Sequence, residues 1–123
     1  MNSRRHTVPL SGPQRFAAVF ADGKRVRKGG VTVVAAWRGS DEVRVGLVAG
    51  KGVGGAVVRN RTKRRIRAVL QNAELGDGFD YVVIASGAVA TEPFESVASW
   101  VHEAVAQATA DARRKPTRTR RGE

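Results

Sequence analysis

The chain has 123 residues, room for one domain with a modest core. Its 22 Lys and Arg against 11 Asp and Glu leave a formal charge of +11, which points to a polyanionic partner. The absence of Cys excludes disulfides and thiolate metal sites and fits a reducing compartment.

Residues 1–10 hold Arg4, Arg5 and His6 with little to pack, and read as a flexible basic N-terminus. No apolar stretch follows those charges, so no secretory signal is read, and apolar runs such as Val31–Trp37 are far short of a membrane span. The expectation is a cytoplasmic protein without a membrane partner. A single domain is predicted over 11–112, followed by a disordered basic tail over 113–123, RRKPTRTRRGE, which lacks apolar content.

Within the domain, Ser11, Pro13 and Gln14 read as a helix start, with Ser11 as N-cap and Gln14 as its capping-box partner. That helix runs to about Ala21 and stops at Gly23, with Phe16 and Phe20 one turn apart on one face. Periodicity alone reads both rings as core. Lys24–Lys28, KRVRK, reads as a short edge strand blunted by its cations. Val31–Trp37 reads as a strand apolar on both faces. Val43–Ala49 returns as its antiparallel hairpin partner, with Val43, Val45, Leu47 and Ala49 alternating against Arg44, Gly46 and Val48.

Gly50 to Gly55 then feed a helix N-terminus, an arrangement that favours anions, but the Walker A pattern is absent because Lys51 precedes the glycines. The stretch Gly54–Ala73, GGAVVRNRTKRRIRAVLQNA, is an amphipathic helix. At about 100° per residue Val58, Thr62, Ile66, Val69 and Ala73 share one side. Arg61, Lys63, Arg64 and Arg67 share the other, with Arg59 and Arg65 at the margins. No carboxylate occurs between Arg44 and Ala73, so nothing nearby in sequence neutralises that face. Five of the six cations are Arg, whose planar fork matches phosphate bidentately and stacks on bases. A solvated face would serve solubility with mixed signs, so nucleic acid is the partner indicated.

Phe79–Ala85, FDYVVIA, reads as a strand covered on both faces, as in a parallel pairing. Ser86–Ala90 reads as loop. Thr91, Glu92 and Pro93 open a final helix whose apolar stripe is Phe94, Val97, Ala98, Val101, Val105, Ala108 and Ala112.

The run GGAVVRNRTKRRIRAVL resembles the signature of the bacterial ribonuclease P protein component, an RNR triplet followed by a KR pair and an R, matched here by Arg59, Asn60, Arg61, Lys63, Arg64 and Arg67. An upstream F-x-x-V-F before a Gly and an R-V-G-L strand extend the resemblance over about residues 14–108. It implies an α+β fold, a small α-β-β-(β)-α-β-α sandwich with a mixed sheet, of the ribonuclease P protein / ribosomal S5 domain 2-like type. It also implies a left-handed βαβ crossover over Val43–Ala85, although such crossovers are right-handed in about 98% of proteins.

The resemblance further implies a subunit of the endoribonuclease that removes the 5′ leader from precursor tRNA. In that enzyme the catalytic groups lie in an RNA that holds most of the Mg²⁺. The expected partners are that catalytic RNA, contacted by Arg59, Asn60, Arg61, Lys63, Arg64, Arg65 and Arg67, and precursor tRNA. Its leader would lie on Phe16, Phe20, Val34 and Lys51, with Val31 or Val33 as further candidates on the sheet. Where family members carry Ser, a second Lys and an Asn, this chain has Gly50, Gly52 and Gly55, and Val34 replaces an aromatic. Weaker stacking and fewer loop–phosphate contacts are the expected result.

Catalytic groups in the polypeptide itself are not indicated. His6 and His102 are far apart in sequence, the carboxylates are scattered, and no Ser-His-Asp or metal-ligand spacing occurs. The alternative reading is a structural RNA-binding protein such as a ribosomal protein. A DNA-reading helix would need a second helix across a short turn, whereas strands flank this one. A protein-only nuclease would cut without RNA.

Overall fold

The computed structural model describes residues 7–114. The elements are β1 (Thr7–Pro9), α1 (Pro13–Asp22), β2 (Lys24–Lys28), β3 (Val31–Trp37), β4 (Val43–Ala49), a 3₁₀ turn (Lys51–Val53), α2 (Ala56–Leu70), β5 (Phe79–Ala85), α3 (Ala88–Thr91) and α4 (Phe94–Arg114). They build a mixed five-stranded sheet in the order β1-β4-β5-β3-β2.

β5 lies at the centre, parallel to β4 and antiparallel to β3. The predicted β3–β4 hairpin is therefore not formed. β5 is buried along nearly its whole length, and a strand apolar on both faces gains most between two neighbours and two helical layers. The β3–β4 connection is splayed to admit it. Arg38 and Gly39 donate backbone hydrogen bonds to the Gly78 carbonyl, and the Gly78 N–H donates to Glu42. Gly78 sits at φ +82°, and a Cβ there would come within 3.0 Å of the Ser40 carbonyl, so a left-handed glycine is needed where β5 enters the sheet.

The N-terminal expectation is corrected for residues 7–10. Thr7–Pro9 pair in parallel with Val43–Val45, and Leu10 is buried, because β4 would otherwise be left with an open edge. Residues 1–6 and 115–123, and most of the calls made on the N-terminus and tail, lie outside the described residues. Arg113 and Arg114, placed in the tail by sequence, continue α4, and the Arg113 guanidinium lies 5.5 Å over the Phe79 ring.

The α1 cap also differs. Gly12 at φ +91°, not Ser11, is the N-cap, and as a glycine it has no side chain to accept from the first-turn N–H groups. The stretch Ser86–Ala90, read as loop, runs into a short helix instead. α3 ends at Thr91 with Glu92 as its C-cap, and α4 begins after Pro93, with the Ser96 and Val97 N–H groups donating to the Pro93 carbonyl.

One face of the sheet carries α2 and α4. Val31, Val33, Val43, Tyr81 and Val83 meet Ile66, Val69, Val97, Val101 and Val105 in the main core. The Tyr81 hydroxyl accepts from the Gly76 N–H at 2.8 Å and bonds Thr109 Oγ1 at 2.7 Å, which satisfies a polar atom in that layer. Among the described residues the other face carries only α1. A smaller core of Leu10, Val19, Val34, Ala36 and Val82 holds it down.

Candidate nucleic-acid interface

The apolar stripe of α2 faces inward as its period requires, with Thr62, Ile66 and Val69 buried. Thr62 Oγ1 donates to the Val58 carbonyl at 2.8 Å, so a hydroxyl can sit in the stripe at little cost. Asn60, Arg61, Arg64 and Arg67 are exposed on the outer side and Lys63 is half-buried. None of these four cations belongs to an ion pair among the described residues. The ion pairs found there engage Arg38, Arg44 and Arg114 instead.

Two predicted RNA-contact residues have other work. The Arg65 guanidinium donates to the carbonyls of Val89 at 2.6 Å and Glu92 at 2.8 Å, and lies 5.7 Å over the Phe94 ring. It clamps α2 to α3 and to the start of α4, which also explains why Phe94, predicted as core, is instead a surface ring at 43% exposure. Arg59 Nη1 donates to the Gly54 carbonyl at 3.2 Å, tying the guanidinium to the loop before the helix. Its remaining N–H groups stay available to an outside acceptor.

On the α1 face, Phe16 lies over Gly46. A Cβ at that position would approach the ring to 2.5 Å, so the missing side chain is what lets the ring seat on β4. Phe20 is 39% exposed, with the Arg25 guanidinium 5.6 Å above its ring. Val34 is not a surface residue. At 1% exposure it is covered by α1 in the small core, and Val31 and Val33 are buried on the opposite face. The resemblance put Val34 on the correct face, but the helix crossing above it could not be read from periodicity.

The open floor of this face is one row further along. Val48, Ile84 and Thr32 stand side by side across β4, β5 and β3 and are each partly exposed. Sequence reading missed Val48 and Ile84, although an apolar Val48 on the otherwise polar side of β4 was the available signal. The backbone of Lys51 opens the 3₁₀ turn directly after β4. Added Cβ atoms at Gly50, Gly52 and Gly55 would meet nothing within 4 Å.

A cleft of about 830 Å³ runs along the β4 edge beyond β1. Phe16 and Gly46 line one side, and Lys63, Arg67 and Leu70 of α2 the other. It connects the aromatic groove to the basic helix. Among the described residues no three His, Asp or Glu side chains come together to hold a metal ion. His102 is exposed on α4, and no helix there is long and apolar enough to cross a membrane.

The family model for ribonuclease P matches residues 5–109. The chain belongs to the ribonuclease P protein family. It is 35% identical over 99 residues to the ribonuclease P protein components of Streptococcus pyogenes serotypes M49 and M3, a stretch covering 78% of this chain and 82% of each relative. Among solved structures, the RNase P protein of Thermotoga maritima superposes with a TM-score of 0.68 at 26% identity, covering 75% of this chain and 89% of that one. A Staphylococcus aureus RNase P protein mutant with defective mRNA degradation activity gives a TM-score of 0.72 at 22% identity, covering 82% and 87%. The chain is thus a subunit of ribonuclease P, a tRNA-processing ribonucleoprotein enzyme, and its holoenzyme partner is RNA. The RNR signature sits on α2, whose outward cations Arg61, Lys63, Arg64 and Arg67 lack acidic partners among the described residues.

Proposed function

We propose that the chain binds the catalytic RNA of ribonuclease P through the outer face of α2, and the single-stranded 5′ leader of precursor tRNA in the groove beside α1. Asn60, Arg61, Lys63, Arg64 and Arg67 contact phosphates and sugars of the catalytic RNA, and Arg59 adds its free N–H groups. Phe16, Phe20, Val48, Ile84 and Lys51 form the leader groove, in which bases stack on the exposed parts of the rings, at about 1–3 kcal/mol per base. Mature tRNA lacks a leader, so the groove favours substrate over product. The Mg²⁺ of the reaction is assigned mainly to the RNA. The complex is expected to work in the cytoplasm.

The observation that carries this reading is the contrast between the cations of α2, which have no ion pair among the described residues, and the paired Arg38 and Arg44 elsewhere on the same small domain. The test is reconstitution. Adding the protein to catalytic RNA at low Mg²⁺ should restore leader cleavage, and the protein alone should cut nothing. Cleavage by the protein alone, or no stimulation of the RNA, would remove the proposal.

The open glycine loop gives a second expected result. Gly52 has no neighbour within 4 Å and no positive φ, so Gly52→Lys should leave the thermal melt unchanged. It should tighten precursor tRNA binding several-fold and leave mature tRNA binding as it was. Equal tightening of both tRNAs would place the loop away from the leader.

A further inference from the structure

The α1 face of the sheet has two ends with opposite electrostatic character. At one end Arg44 Nη1 lies 3.2 Å from Asp80 Oδ1, and Arg38 reaches Asp80 at 3.7 Å and Asp22 at 3.0 Å. Those guanidiniums are spent within the fold. At the β2 end stand Arg25 and Arg27, both exposed and neither in an ion pair among the described residues.

Their orientation follows from alternation. Val26 packs against the main core, so its two neighbours point to the opposite face. Register confirms this. Arg25 pairs with Val34, which lies under α1, and Arg27 with Thr32, which pairs in turn with Ile84 and Val48. The open row therefore runs Val48, Ile84, Thr32, Arg27 across four strands, about 14 Å at the usual strand spacing. α1 crosses the same face beside it, with Phe16 over β4 and Phe20 against Arg25.

Cations that blunt an edge strand act along the strand's hydrogen-bonding edge, whereas these two stand on the sheet face and are pre-positioned. The Arg25 guanidinium is held over the Phe20 ring at 5.6 Å, and Arg27 Nε donates to the Gly29 carbonyl at 3.1 Å. Each side chain is fixed through one contact and keeps further N–H groups for an anion. Arg25 also covers part of the Phe20 ring, so a base arriving there meets a guanidinium plane backed by an aromatic, a surface suited to stacking.

We infer that Arg25 and Arg27 form a phosphate rail at the far end of the groove and position the upstream part of the RNA leader. This rests on the leader-binding reading above and extends it to β2. The test uses the reconstituted holoenzyme with Arg25→Ala/Arg27→Ala, precursor tRNAs carrying leaders of stepped length, and mature tRNA.

The variant should bind long-leader precursors roughly tenfold more weakly, with a salt slope shallower by about 0.7 per lost contact. Mature tRNA and the shortest leaders should bind as before, and Arg25→Lys/Arg27→Lys should recover most of the loss. Unchanged binding of long leaders would overturn the rail. So would an equal loss at every length, mature tRNA included, which would make the two arginines structural. A wild-type holoenzyme that shows no leader preference at all would instead overturn the reading beneath it, and the rail with it.

Discussion

Replacing Arg61, Arg64 and Arg67 together by Ala is expected to weaken binding of the catalytic RNA by roughly two orders of magnitude, because three phosphate contacts and their counterion release are lost at once. The slope of log K against log salt should become shallower by about 2 to 3. The same variant should melt at or slightly above the parent temperature. All three side chains are exposed and lack ion pairs among the described residues, and Ala relieves like-charge pairs spaced i,i+3 while raising helix propensity. A titration over several salt concentrations beside a thermal melt separates the two effects. An unchanged salt slope would show that α2 does not face the RNA. Arg65→Ala should behave in the opposite sense, costing stability more than RNA affinity, since its guanidinium caps the Val89 and Glu92 carbonyls.

The largest stability loss is expected from Asp80→Ala. Asp80 is 3% exposed and accepts from Arg44 while facing Arg38, and Arg38 already has one buried N–H nitrogen, Nη2, without a partner. Removing the carboxylate takes away the one buried counter-charge the two guanidiniums share, and leaves Arg44 with the exposed Glu42 at 3.5 Å and Arg38 with the exposed Asp22 at 3.0 Å. Breaking such a pair from one side costs about 3–5 kcal/mol. The arginines keep 20–27% of their side-chain surface, so solvent softens the loss and the lower end, about 3 kcal/mol, is expected. In a domain of this size that corresponds to a fall of roughly 12 °C or more in the melting temperature. Because Arg38 also holds Asp22 at the end of α1, residual folded protein should show weaker leader discrimination as α1 loosens. A melt within a degree or two of the parent would mean that the network contributes little and that α1 is held by Val19 and Leu10 alone.

The helix α2 was legible in the sequence because its information is local, although the reading over Gly54–Ala73 overran the helix at both ends. A 3.6-residue period assigns Thr62, Ile66 and Val69 inward and Arg61, Arg64 and Arg67 outward without reference to any other element, and the absence of nearby carboxylates already indicated an outside partner. The individual strands were legible for the same reason. What misled was adjacency along the chain: β3 and β4 read as a hairpin, while the centre of the sheet went to β5, whose need for neighbours on both sides is a property of the assembled sheet. Arg65 and Phe94 form the same kind of case, since a guanidinium at the margin of a helical wheel can turn to solvent or to a carbonyl 24 residues away, and only the packing of α3 decides.

By itself, then, the amino-acid order determined the basic helix, the strand content and the family signature, all set by spacings within one or two turns or a single strand. The tertiary structure decided which apolar residues of the sheet remain open. It buried Val34 beneath α1, left Val48 and Ile84 as the floor, and spent Arg38 and Arg44 on Asp80 while leaving Arg25 and Arg27 without a carboxylate among the described residues. The physical reason is that exposure and charge compensation are set by what packs opposite a side chain, and the packing partners on this face come from strands separated by tens of residues.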